Sequence, residues 1–275
     1  MKRFTLSLAA LLLTAATGAA AGRDCHILLT NDDGVAGPGL AAMASGLDGL
    51  CTLLVVAPDR DRSGAGHSLD AARDGLLVSP VALADGRPAF AVSGTPAEAV
   101  ALGLLALNQG QKIDLVVSGI NPGENTGNAV YYSGTVNAGM EALLRGTPAI
   151  AVSQDRAHGK DFTQAAALAR KLVERALDRP LPPGTMLNVN LPAAPRGAPV
   201  LSAAGGSTVA IQRLDREDLG DGKARYRVVL GEAPPCTDGD ACAYRAGRTT
   251  VSPLTLDRTA RDSMTDIGRW LEDVR

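Results

Sequence analysis

The segment Ile27 to Leu40, ILLTNDDGVAGPGL, ends an apolar run on two adjacent carboxylates, Asp32 and Asp33, and then enters a glycine-rich turn. Neighbouring carboxylates repel each other and lose hydration wherever they are partly buried, so such a pair calls for a cation beside it. A second apolar run, CTLLVVA, leads into Asp59-Arg60-Asp61-Arg62-Ser63-Gly64, and a third, DLVVSG, into Asn121-Pro122-Gly123-Glu124-Asn125. Carboxylates, a hydroxyl and amides are hard oxygen donors, suited to Mg²⁺, Mn²⁺ or Ca²⁺ rather than to zinc or copper. A fourth stretch, YYSGTVNAGMEALLRG, puts Ser133-Gly134-Thr135 at the start of a helical pattern, where unpaired N–H groups and the helix dipole favour an anion. A hard cation beside an anion pocket suits a phosphate ester. Each piece alone has a plainer explanation: Asp-Asp-Gly after a strand makes an ordinary turn, and Ser133 or Thr135 makes an ordinary N-cap. Three polar strand ends gathered at one edge favour a site.

The elements that would gather them are legible as alternating periods. HILLT, PGLAAMASGLDGL and CTLLVVA read as a strand–helix–strand crossover. GLLVSPVALADGRPAFAVSG reads as a hairpin about Asp85-Gly86. Thr95 to Leu107 begins a helix, with a Thr N-cap, a Pro at the first helical position and a Glu in the first turn. The strand KIDLVVSGI comes next, then the helix NAGMEALLRG, the strand PAIAVS, a helix over Phe162 to Asp178 and a strand over Thr185 to Leu191. The sum is an α/β fold, a mostly parallel sheet with helices on both faces, in which ligands bind beyond the carboxyl ends of the strands. After Pro192 the texture loosens, only VVL and TTVSPL look like strands, and Arg258 to Val274 reads as an amphipathic helix with Met264, Ile267, Trp270 and Leu271 on one face.

Residues 1–21 carry Lys2 and Arg3, an apolar run and a small-residue end before Gly22, the composition of a secretory signal peptide whose apolar part is too short for a comfortable membrane span. The expected mature chain, 22–275, then comprises a core over 22–191 and an extended arm with a C-terminal helix over 192–275. It is expected to be exported, to a periplasm, and to have no membrane association once the leader is cleaved. Without Lys2 and Arg3 the 27 basic residues become 25 against 29 acidic ones, a net charge of −4, which argues against nonspecific nucleic-acid binding. Four cysteines in an exported chain suggest disulfides. Cys25 and Cys51 each precede a strand that the crossover makes parallel neighbours, and Cys236 and Cys242 share one loop. No Walker loop, GxSxG elbow or GxGxxG after the first strand is present. The three histidines, His26, His67 and His158, leave little for histidine-based phosphoryl transfer.

NDDGVAGPGL, APDRDRSGAGHSL, SGTPAEAV, VVSGINPGENTGNAVYYSGTVNAGMEA and GTPAIAVS occur in an order and spacing that resembles the SurE family, metal-dependent phosphatases of nucleoside 5′- and 3′-monophosphates. The resemblance is strong over residues 26–153 and weaker beyond. It implies a Rossmann-like core and one divalent ion per subunit, Mg²⁺ or Mn²⁺ before Ca²⁺, held by Asp32, Asp33, Ser63 and Asn121. It implies phosphate binding by Asn125 with Ser133, Gly134 and Thr135, catalytic work at Asp32 and Asp33, and a homodimer or homotetramer built through an extended arm and an exchanged C-terminal segment. The chain departs from the usual pattern in its export signal and cysteines, in GRTTVSPL where a GYVSITPL-like strand is common, and in Glu98-Ala99 where Asp-Cys is frequent. Two other readings share these residues: a nucleotide- or phosphate-binding protein without hydrolysis, which would gain nothing from two carboxylates unless a metal reversed their sign, and a broad phosphomonoesterase. Three Phe, four Tyr and one Trp offer few rings to stack on a base.

Overall fold

The structure, a computed structural model, describes residues 23–70, 75–206, 211–231, 235–272 and 274, so the expected signal peptide lies outside the described residues. The chain begins with the expected crossover: β1 (His26–Thr30), α1 (Pro38–Gly46) and β2 (Thr52–Pro58), with β1 and β2 parallel. β3 (Val78–Ala82) and β4 (Pro88–Val92) form the hairpin about Asp85-Gly86, and β4 adds parallel to β2. α2 (Pro96–Leu102) then carries the chain over β1 to β5 (Leu115–Pro122), and after it come α3 (Gly134–Leu144), β6 (Ala149–Gln154), α4 (Thr163–Asp178) and β7 (Met186–Leu191). With β8 (Val200–Leu201) and β11 (Thr250–Leu254) at the far edge, the nine-stranded sheet has the order β3-β4-β2-β1-β5-β6-β7-β11-β8. β4, β2, β1, β5, β6 and β7 are parallel. Strand order reverses between β1 and β5, and the carboxyl ends of these two strands flank the crevice where such folds bind ligands.

Strand residues alternate between two cores because successive side chains point to opposite faces. Ile27 and Leu29 of β1 join Leu40 and Met43 of α1 and Ala165, Ala169 and Val173 of α4. Leu28 joins Ala99 and Val100 of α2 and Val136, Ala138 and Ala142 of α3. These side chains are fully buried, each worth roughly 1.5–3 kcal/mol for the larger ones. α2 starts where its local signals put it: Thr95 and Glu98 form a reciprocal capping box, with Pro96 at the first position. α1 comes down on β5 at the site end of the sheet because its first turn carries Gly39. A Cβ there would stand 2.0 Å from the Ile120 carbonyl oxygen.

Beyond Pro192 three expectations change. QRLDREDLGDGKARYR does not stay irregular: it forms most of a two-stranded ribbon, β9 (Ile211–Gly220) against β10 (Lys223–Leu230), detached from the main sheet. Asp221 and Gly222 turn it, both at positive φ as a two-residue hairpin requires. The loop holding Cys236 and Cys242 contains a short helix, α5 (Gly239–Arg245). The terminal helix is shorter than its periodicity, α6 (Met264–Glu272) after a single tight turn at Arg261–Ser263, and Met264, Ile267, Trp270 and Leu271 are all exposed. Among the described residues no helix is long and apolar enough to cross a membrane.

Both cysteine pairs are bonded, Cys25 to Cys51 across 26 residues and Cys236 to Cys242 across 6. The first ties the start of β1 to the start of β2, and a loop of that length removes about 3 kcal/mol of entropy-based freedom from the unfolded chain. Replacing Cys25 and Cys51 together by serine is therefore expected to lower unfolding free energy in urea by about 3 kcal/mol under oxidising conditions. Equal midpoints for the variant and the oxidised parent would contradict this.

Candidate active site

The site is built from the segments that leave β1, β2, β5 and β6, with the start of α3 laid across it. Asp32 leaves β1 almost fully buried, 3 % exposed. Its Oδ1 accepts a hydrogen bond from the Thr135 hydroxyl at 2.5 Å, and its backbone oxygen accepts one from the Arg62 N–H at 2.8 Å, which ties the segment after β2 to it. α3 approaches this closely only because Gly134 has no side chain: a Cβ there would lie 2.6 Å from Asp32 Cβ and 3.0 Å from Oδ2. Gly34, at φ +95°, lets the turn after Asp33 pass the Arg60 backbone.

Both carboxyls are pushed up. For Asp32 the cause is burial, only partly offset by the hydrogen bonds from Thr135. Asp33 rises to about 7, through burial first and then the charges of Asp32 and Asp61, with Arg156 pulling the other way. The Asp33 side chain is half-buried, but its Oδ2 is buried without any hydrogen-bond donor. A buried, unpartnered carboxylate oxygen beside a second, fully buried carboxyl is a site short of positive charge. The residues therefore fit a divalent cation. No trio of His, Cys, Asp or Glu converges as a metal site among the described residues, so an ion here would rest on two carboxylates and neutral oxygens.

The other expected residues come from the neighbouring strand ends and from α3. Asn121, at the end of β5, donates Nδ2 to the Gly123 carbonyl at 2.7 Å, which leaves Oδ1 without a donor among the described residues. Ser63 is exposed and gives its hydroxyl to Asp61 at 2.6 Å, a bond that also holds the Asp61 carboxyl below its usual range. Asn125 is buried, its backbone N–H on Asn190 Oδ1 at 2.7 Å and its Nδ2 on the Ser153 hydroxyl at 2.8 Å, with one Nδ2 hydrogen to spare. Ser133 caps α3, its Oγ accepting from the Val136 N–H at 3.1 Å, and its own O–H remains a donor. The Thr135 hydroxyl is given to Asp32.

Three residues were missed by the sequence reading. Asp61, although in the second strand-end segment, was not singled out, and its charge reaches both aspartates. Arg156 lies just beyond PAIAVSQ, a strand end of the same kind as the other three, and that position is the signal that could have found it. Asp240 on α5 left no local signal. It is fully buried, and its Oδ1 accepts from Gly127 N–H at 2.9 Å and Gly205 N–H at 3.0 Å while Oδ2 accepts from Ser252 at 3.0 Å, pinning the loop beyond Asn125 to α5 and β11.

The Ser63 segment is strapped at two points, to the residue two before α3 and to α3 itself. Gly66 N–H donates to the Tyr132 carbonyl at 3.0 Å, and His67 Nε2 lies 2.9 Å from Glu141 Oε2. Glu141, 4 % exposed, also accepts from Arg145 at 2.7 Å. Burial raises its pKa, but the hydrogen bonds from His67 and Arg145 outweigh that and hold it below its ordinary value of 4.5. A depressed carboxylate contributes stability above its unfolded pKa and loses it as pH falls through the folded value. Glu141→Gln is thus expected to cost about 1–2 kcal/mol at pH 7 and to flatten the fall in stability below pH 4.5, read from urea midpoints across pH. Parallel acid limbs for variant and parent would count against the strap.

Known proteins share this arrangement of elements. The family profile described as Survival protein SurE matches residues 27–211. The chain is similar to a protein named 5′-nucleotidase SurE from Geobacter metallireducens, 40 % identical over 262 residues that cover 89 % of this chain and 96 % of that one. It is similar to another of the same name from Chloroflexus aggregans, 41 % identical over 263 residues, 91 % and 98 % of the two chains. Among solved structures, the SurE protein from Aquifex aeolicus superposes with a TM-score of 0.76 at 33 % identity, over 90 % of this chain and 99 % of that one. With Asp32 and Asp33 at the β1 end, the segments after β2 and β5 beside them and α3 starting over Asp32, the chain belongs to the SurE family.

Proposed function

We propose that this chain is a divalent-metal-dependent phosphatase that hydrolyses nucleoside 5′- and 3′-monophosphates to nucleoside and phosphate. The observation that carries the reading is the Asp32–Asp33 pair, set into the strand-order reversal with an unpartnered, buried Oδ2 on Asp33. The relatives named 5′-nucleotidase, about 40 % identical along most of the chain, support the substrate class. Asp32, Asp33, the Asn121 side-chain oxygen and Ser63 would hold the ion, Mg²⁺ or Mn²⁺ before Ca²⁺. Ser63 would have to give up its bond to Asp61 to do so. When bound, the ion supplies Lewis acidity toward the phosphoryl group and lowers the pKa of water.

The chain supplies the rest. The spare N–H of Asn125 and the O–H of Ser133 are donors for phosphoryl oxygens, at a helix start whose dipole favours their charge. The Thr135 hydroxyl fixes one oxygen of Asp32, and so orients the other. One aspartate, once ionised, can take the proton of the attacking water.

Export is part of the proposal. The leader-like composition of residues 1–21 supports it, and two disulfides suit an oxidising compartment, which we take to be a periplasm. The assembly is proposed as a homodimer or homotetramer, supported by α6, whose apolar residues have no cover within the described chain.

The test is phosphate release by metal-stripped mature protein from a panel of 5′- and 3′-nucleoside monophosphates and p-nitrophenyl phosphate, with and without Mg²⁺ or Mn²⁺. Release that needs the metal and favours nucleotides is expected. Folded protein that binds nucleotide but releases nothing under either metal would make it a binding protein instead. Asp33→Asn is expected to cut turnover by about 10²–10³-fold or more and to abolish Mn²⁺ binding in calorimetry. Because the substitution removes a repelled, partly buried charge, the metal-free variant should melt no lower than its parent. Near-normal turnover in that variant would refute the site.

A further inference from the structure

We infer that Arg156 is a substrate contact, its guanidinium donating to the phosphoryl group at the mouth of the Asp32–Asp33 site. The inference rests on the phosphatase reading and adds a residue that the strand-end donors did not include.

Arg156 is the second residue beyond β6, the strand paired to β5, so it leaves the same sheet edge as Asn121. The two residues before Arg156 are held from three directions. Asp155 donates its N–H to the Leu191 carbonyl at 2.8 Å and caps the tight turn Arg156–His158 by accepting from Ala157 N–H at 2.8 Å. The other oxygen of Asp155 accepts from the Tyr244 hydroxyl of α5 at 2.8 Å. Gly123 N–H donates to the Gln154 carbonyl at 2.7 Å, which draws the Asn121-to-Asn125 loop against the end of β6.

The guanidinium lies on that loop. A Cβ on Gly123, midway between Asn121 and Asn125, would come to 3.1 Å from Nε and Nη2 of Arg156. Arg156 is exposed, makes no ion pair, and its guanidinium donates no hydrogen bond within the described residues. Its charge is nonetheless felt at Asp33, whose carboxyl it draws downward. An arginine used simply to neutralise Asp33 would form an ion pair with it, and none is present between them. What remains is a cation carried on a held turn, with a planar fork of free N–H groups beside the proposed metal and phosphate ligands, a match for two phosphoryl oxygens. Such a cation stabilises the phosphoryl group while charge passes to the leaving alkoxide.

The experiment uses the full mature chain loaded with Mn²⁺ and compares the parent with Arg156→Ala and Arg156→Lys. Steady-state kinetics on a nucleoside 5′-monophosphate, inhibition by inorganic phosphate, and Mn²⁺ binding by calorimetry without substrate are measured in parallel. For Arg156→Ala, kcat/KM is expected to fall roughly 10²-fold. Inhibition by inorganic phosphate should weaken, added guanidinium ion should restore part of the rate, and Mn²⁺ should bind as tightly as before or more so. Arg156→Lys should recover part of the loss, having charge without the fork. Unchanged kcat/KM and phosphate inhibition in Arg156→Ala, with an active parent, would overturn this inference alone. A loss of rate matched by weaker Mn²⁺ binding would also overturn it, because Arg156 would then act through the metal site. A parent with no metal-dependent phosphate release would defeat the phosphatase reading, and this inference with it.

Discussion

Two carboxyls on consecutive residues, one fully buried and one half-buried, are the constraint around which this molecule is arranged. Asp32 and Asp33 sit where the sheet reverses its strand order, and both are raised, Asp32 by burial and Asp33 by burial and the charge of its neighbour. A fold tolerates that arrangement when its neighbours are donors or cations. The neighbours here are of that kind: a hydroxyl and an N–H from Thr135 on Asp32, and the charge of Arg156 near Asp33. Their supply is incomplete, as the orphaned oxygen of Asp33 records. That shortfall is of positive charge, the kind that a divalent cation would meet.

Precision elsewhere comes from uncharged groups. Asn125 is fixed by Asn188 and Asn190 of β7 and by Ser153 of β6, amides and a hydroxyl that hold a buried loop without adding charge near the aspartates. Charged residues in those places would shift the electrostatics of the pair; neutral ones leave it unperturbed. Glycine does the complementary steric work at Gly134, where α3 could not otherwise meet Asp32.

Much of this was legible because its signals are local. The Thr95-Pro96-Glu98 start of α2 and the crossover from HILLT to CTLLVVA are patterns of neighbours in sequence, and the structure repeats them. Of the β9–β10 ribbon only VVL, at the end of β10, was legible as strand although Asp221-Gly222 is a strong hairpin signal, because β9 is rich in charge and lacks the apolar alternation that usually marks a strand. Thr135 was legible as a polar residue at a helix start but not as a partner of Asp32, 103 residues away. Asp240 had no signal at all, since its three partners come from three separate segments.

The loosely patterned C-terminal part also supports the site. α5 reaches the site twice, through Asp240 to the Gly127 end of the Asn125 loop and through the Tyr244 hydroxyl to Asp155, which sets the turn that carries Arg156. Burial and the bond to Asp155 raise the Tyr244 hydroxyl far above its ordinary pKa, so it stays a donor. Cys236 is bonded to Cys242 within α5, and the ring that they close contains Asp240 itself. A short helix of seven residues has little stability of its own. A covalent closure around Asp240 is a direct way to keep so short an element in register with the two loops it supports.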